Sequence, residues 1–326
     1  MSGAGTLQID VHLGPGDLDE ALRAEALAGL TATPKELPSK WFYDEQGCAL
    51  YDAITRLPEY YPTRREREIL EARAGEIART SRADTLVELG SGTSEKTRLL
   101  LSAMARVGTL RRFIPFDVSE PTLRQASEAI AAEYPGTAVH AVVGDFDRHL
   151  GRIPGGGRRL VAFLGSTIGN LTPDQRAGFL AEVAGGLAPG DGLLLGTDLV
   201  KDVARLEAAY NDAAGITAAF NLNVLMVLNR RLGANFDPAN FEHRAVWVEE
   251  PEWIEMRLHA TAGHTVDIPG IGRTVPFAPG EVMRTEISAK FRREGVEQEL
   301  EAAGLELVHW WTDAGGDFGL SLSLRP

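Results

Sequence analysis

A short apolar segment that carries an acid, Thr85-Leu86-Val87-Glu88-Leu89, runs directly into Gly90-Ser91-Gly92-Thr93, and a helix-forming stretch from Glu95 to Ala105 follows. Strand, glycine turn and helix start in that order make a ligand loop. The glycines let the backbone pass close to a bound group, and the N–H groups at the helix start face it. A nicotinamide dinucleotide calls for a third glycine three positions beyond Gly92, where Glu95 stands instead. A carboxylate there is a poor neighbour for a pyrophosphate. Glu88 inside the strand and the missing third glycine suit a ligand with a cationic centre and no phosphate. S-adenosylmethionine is such a ligand, although glycine turns of this kind also occur for packing alone.

Ligand-binding groups of a parallel sheet gather at the carboxyl ends of its strands. Beyond Gly90, the residues expected there are Asp117, Asp145-Phe146 and Gly165-Ser166-Thr167-Ile168-Gly169-Asn170. Asp117 can accept from both hydroxyls of a ribose. Asp145 can accept from an adenine amino group, with Phe146 supplying a backbone N–H and an apolar wall. Each aspartate reads equally well, taken singly, as a turn or cap residue, and Asn170 as a loop amide. Their order along successive strands favours the ligand reading.

The elements that position these groups alternate strand and helix from about Arg64 to Leu199. Thr63 and Glu66 read as a capping box for a helix running to Arg79. Arg112 to Asp117 makes a second strand, Glu120 to Tyr134 a helix, Val139 to Val143 a third strand and Leu160 to Leu164 a fourth. Thr172, Pro173 and Gln175 open a helix to Leu187, and Leu193 to Leu195 is a further strand. Such repetition predicts a parallel sheet covered on both faces. A helix from Glu294 to Ala303 and a hairpin of Leu305 to Thr312 with Phe318 to Leu324 close the chain, a finish more usual in methyltransferases than in dehydrogenases. Between Lys201 and Lys290 the rhythm breaks. Helices at Val203–Tyr210 and Ile216–Leu232 precede strands at Trp253–Leu258, Thr265–Ile268 and Val282–Ala289, with Gly- and Pro-rich turns between. This is expected to be an inserted α+β substrate domain, joined by an N-terminal segment whose helix Asp17 and Glu20 cap. The expected division is 65–200 plus 291–326 against 10–64 plus 201–290.

The 326 residues, 44% of them apolar, are ample for a sizeable core. No stretch approaches the ~20 apolar residues of a membrane span, and the N-terminus lacks a basic-then-apolar signal, so a cytoplasmic location is expected. Cys48 is the single cysteine, which excludes an internal disulfide. A net charge of −13 argues against a nucleic-acid partner and does not repel a small cationic or zwitterionic substrate. The seven histidines are scattered without ligand spacing, so no metal is expected.

Several longer motifs occur in one order along nearly the whole chain: Lys40-Trp41-Phe42-Tyr43-Asp44, Thr55 to Arg64 (TRLPEYYPTR), Leu89 to Thr97 (LGSGTSEKT), Ser166-Thr167-Ile168-Gly169-Asn170, and Thr285-Glu286-Ile287-Ser288. Together they resemble the histidine-specific N-alpha-methyltransferases of ergothioneine biosynthesis. The resemblance implies a Rossmann-like class I S-adenosylmethionine-dependent methyltransferase sheet with an α+β substrate domain. It also implies trimethylation of the α-amino group of L-histidine to hercynine by a protein expected to be a monomer. Gly90, Lys96, Asp117, Asp145 and Phe146 would hold S-adenosylmethionine. Tyr60, Asn170 and Tyr210 would hold the amino and carboxylate groups of the amino acid. Glu286 and Ser288, two apart on a strand and so on one face, would take the imidazole nitrogens, and Tyr43 would line the region of the transferred methyl. Locally, Glu286 and Ser288 also read as the polar face of a half-buried strand, and the tyrosines as core.

A sulfonium methyl needs little activation beyond an unprotonated amine held in line at ~3 Å. Tyr43, Tyr60 and Asn170 are the residues expected to attend that step. No histidine or isolated carboxylate falls in a general-base motif, so the amine proton is expected to leave to water, with a tyrosine hydroxyl as a relay. Tyrosine faces would favour the quaternary ammonium product. Other readings of these residues are a nicotinamide oxidoreductase, a non-catalytic S-adenosylmethionine-binding regulator, and a methyltransferase of another aromatic amino acid or related amine.

Overall fold

The computed structural model describes residues 6–14 and 16–326. The chain divides into two compact units, Met1–Gly14 with Arg64–Leu199 and Phe291–Pro326, and Pro15–Thr63 with Val200–Lys290.

In the first unit, eight strands form one sheet in the spatial order Leu7–Val11, Ala138–Val143, Arg112–Asp117, Thr85–Leu89, Arg159–Phe163, Gly192–Asp198, Phe318–Leu324, Glu306–Thr312. The first six run parallel. Phe318–Leu324 enters antiparallel between Gly192–Asp198 and Glu306–Thr312. Every residue of Thr85–Leu89, Arg159–Phe163 and Gly192–Asp198 is buried, as strands covered on both faces must be. Leu70 and Ile77 of the helix Pro62–Ser81 and Leu100, Leu101 and Met104 of Thr97–Val107 share a core with Leu86, Phe113, Leu160 and Leu194 of the sheet. Strand order reverses on the two sides of Thr85–Leu89, which puts the glycine loop at the switch point where such sheets bind ligands.

Two capping expectations fail. The helix begins at Pro62, so Thr63 lies inside it, and the carboxylate of Glu66 accepts from the Gly165 N–H instead of the helix start. Gly16 is the cap of the helix Asp17–Thr31, with Asp17 and Glu20 only in its first turn. The Thr172–Gln175 capping box forms as expected: Thr172 Oγ1 accepts from Gln175 N, and Gln175 Oε1 accepts from Thr172 N.

The second unit has a four-stranded sheet in the order Lys35–Glu36, Val282–Ala289, Trp253–Ala260, Phe241–Val248, with a hairpin of His264–Ile268 and Arg273–Phe277. Phe42, Phe220, Leu225, Leu228, Ile254, Leu258 and Met283 are nearly inaccessible and form its separate core. Fully burying each such side chain contributes about 1.5–3 kcal/mol, so this unit has its own source of stability.

Candidate active site

In the first unit the loop after Thr85–Leu89 turns on Gly90 and Gly92, both in the left-handed region at φ 68° and 48°. Gly90 and Ser91 both donate to the Phe116 carbonyl, which ties the loop to the next strand. A side chain at Gly90 would meet the ring of Phe146 at 3.4 Å. That ring stacks on Phe116 at 5.4 Å and meets Phe163 edge-on at 5.6 Å. Asp117, at the carboxyl end of its strand, accepts from Gly92 N at 2.9 Å and Ser119 N at 3.0 Å. Burial pushes its carboxyl above the ordinary value, against the pull of those N–H groups. Asp145 caps the short helix Phe146–His149 through its contact with Asp147 N, and its own N–H donates to His149 Nδ1. An acid for a diol, an aromatic wall and a close-passing glycine thus meet at the switch point, a set that fits a nucleoside such as that of S-adenosylmethionine.

Glu66 is a member of this arrangement that sequence reasoning missed. It is fully buried, pairs with Lys96, and accepts from Gly165 N at 2.7 Å. Gly196 leaves room for this carboxylate, since a Cβ there would stand 2.2 Å from Glu66 Oε1 and displace it. Lys96 and the Gly165 turn are therefore fixed by one carboxylate. Gly165 and Ser166 both take positive φ, 76° and 58°, and lead into the turn Thr167–Asn170. Ser166 Oγ accepts from Asp198 N, which holds this non-glycine strain in place. Glu88 accepts from Thr97 Oγ1. Burial raises its carboxyl to about 7, against the hydrogen bonds from Thr97 and Ser94.

In the second unit the aromatic residues converge. Tyr43, 45% exposed, meets Tyr51 and Phe220 edge-on at 5.6 and 5.5 Å. Tyr60 meets Tyr51 at 6.4 Å and Tyr210 at 6.3 Å. Tyr51 is a further residue that the motifs did not single out. Burial, with Tyr51 next to it, pushes the Tyr60 phenol well above its ordinary value, so it is a neutral hydroxyl. Tyr210, the last residue of the helix Val203–Tyr210, shares a 2.7 Å hydrogen bond with Ser288. Its carbonyl accepts from His243 Nε2, while His243 Nδ1 accepts from Asn221, whose amide oxygen accepts from Thr285. Burial keeps His243 below its ordinary pKa and thus neutral, which is the form that can both donate and accept. Glu286 and Ser288 lie on Val282–Ala289 past the register shift at Arg284/Glu286, so their shared face is undisturbed. Tyr43, Tyr60, Tyr210, Glu286 and Ser288 all belong to this unit. Asn170 and the five expected cofactor residues belong to the first.

Parallel strands with one antiparallel strand next to the last, and a nucleoside-fitting switch point, define the fold class of S-adenosylmethionine-dependent methyltransferases. The chain belongs to the family described as histidine-specific methyltransferase, SAM-dependent, whose profile matches residues 22–325. It is 60% identical to the histidine N-alpha-methyltransferase of Mycolicibacterium smegmatis over 98% of this chain and 100% of that one. It is 58% identical to the protein of that name from Mycobacterium tuberculosis, over 96% and 98% of the two chains. An L-tryptophan methyltransferase of Psilocybe serbica is 30% identical over 93% and 92%.

Proposed function

We propose that this protein transfers methyl groups from S-adenosylmethionine to the α-amino nitrogen of L-histidine, three times in succession, to give hercynine, the first step of ergothioneine biosynthesis. The observation that carries this reading is the 60% identity, over the full length of a protein named for histidine N-alpha methylation. The geometry of each unit supports it.

Gly90, Lys96, Asp117, Asp145 and Phe146 would hold the cofactor, whose sulfonium supplies the methyl group. Asp117 would accept from the ribose, Phe146 would cover the adenine, and Lys96, steadied by Glu66, would meet the carboxylate of the methionine part. Tyr60, Asn170 and Tyr210 would hold the amino and carboxylate groups of histidine, and Glu286 with Ser288 its ring. This assigns cofactor binding to the first unit and substrate binding largely to the second. The amine must reach the methyl unprotonated. Tyr60, held neutral by burial, orients the nitrogen lone pair and does not itself remove the proton, so the proton leaves to water. Tyr43 and Tyr60 would face the growing ammonium, and their rings favour that charge. The reading includes a monomer in the cytoplasm with no nucleic-acid partner.

A second substrate class, another aromatic amino acid, has one observation in its favour, the likeness to a tryptophan methyltransferase. Incubation with S-adenosylmethionine and each of the twenty amino acids, followed by mass spectrometry, separates the two. Methylated histidine as the dominant product is expected. Methylation of tryptophan or tyrosine with histidine untouched would overturn the assignment.

A further inference from the structure

Lys290 follows directly on the strand that carries Glu286 and Ser288, and the spacing of two continues onto the same face. It is 4% exposed. Its ammonium donates to Ser288 Oγ at 2.8 Å and to Tyr210 Oη at 2.9 Å, and it sits 4.6 Å from the centre of the Tyr210 ring. The two hydroxyls are 2.7 Å apart, so the three groups close a ring of hydrogen bonds. An ammonium has donors only. Both oxygens must therefore present lone pairs to Lys290, and one hydroxyl proton lies between them. The other hydroxyl proton is directed away from the ammonium. A hydroxyl that accepts from a cation is also a stronger donor.

We propose that Lys290 is a positioning residue for the amino-acid substrate: it fixes the hydroxyls of Tyr210 and Ser288 so that the pair presents a polarised donor to the substrate carboxylate. This rests on the assignment of Tyr210 to that end of histidine. Lys290 itself need not touch the substrate. A neutral side chain in its place would let both hydroxyl protons turn inward, and the discrimination in favour of an anion would fall.

The test is calorimetric titration of histidine and of histidinamide, whose carboxylate is replaced by a neutral amide, in the presence of S-adenosylhomocysteine. The unaltered protein is expected to favour histidine by roughly ten- to a hundredfold, the size of a hydrogen bond to a charged group. Lys290→Met is expected to lose most of that preference by weakening histidine, while histidinamide and S-adenosylhomocysteine bind nearly as before. A variant that weakens both ligands equally would show a merely structural lysine and overturn the proposal. If Lys290→Met does not fold, the unaltered protein still decides, because equal affinity for the two ligands contradicts a donor tuned to an anion. A protein that fails to methylate histidine at all would refute the functional reading instead, so the two failures are distinct.

Discussion

Glu88 is a carboxyl that the fold holds in an unfavourable place. It sits in the central strand beneath the glycine loop, and burial raises it from the usual 4.5 to about 7. Between those values the folded protein keeps a proton that the unfolded chain has released. Stability therefore falls as pH rises through about 4.5 to 7 and is level above, a loss of about 3 kcal/mol from this group. Glu88→Gln should remove that component. Denaturant unfolding of both proteins across the window should show curves that diverge with pH, and parallel curves would contradict the assignment. Residues defined by local pattern were legible at this scale: Gly90, Asp117 and Asp145 follow from the ends of successive strands. Glu66 and Lys290 were not. Thr63-x-x-Glu66 has the spacing of a cap, yet a bond to Gly165, ninety-nine residues away, took the carboxylate. Lys290 has no motif, and its partner Tyr210 is eighty residues distant.

The helix Pro62–Ser81 serves the site because it carries Glu66 to the two loops of the sheet. Glu66→Ala would take a partner from the Lys96 ammonium and the acceptor from the Gly165 N–H together. Leaving a buried donor without its acceptor costs about 1–3 kcal/mol, and S-adenosylmethionine should bind about tenfold more weakly. Glu66→Gln, which keeps an acceptor for Gly165, should fall between. Titration of the cofactor into both variants checks this, and unaltered affinity in both would contradict a role for the helix. Elements with strong alternation were read to the residue, as with Val282–Ala289 and Phe318–Leu324. Leu7–Val11 was missed because it is a five-residue edge strand, recognisable only by its pairing with Ala138–Val143. Lys35–Glu36 is two residues long and pairs with Val282–Ala289, which no local pattern encodes.

Each unit of the molecule has a core of its own, and a net charge of −13 surrounds both. No helix among the described residues is long and apolar enough to cross a membrane. The fold class was legible because strand–helix alternation and a closing hairpin are local signals. The substrate was legible only through motifs spread over nearly the whole chain, since the side chains assigned to histidine come from segments as far apart as Tyr60 and Ser288. If the ring and the carboxylate are the anchors, the amine is left to react repeatedly, and each added methyl gives aromatic rings more apolar surface to cover. The most direct measurement is the NMR spectrum and mass of the product formed from histidine with excess S-adenosylmethionine. Three equivalent methyl groups on the α-nitrogen, with an unmodified ring, are the result expected. A methyl group on an imidazole nitrogen would contradict the account.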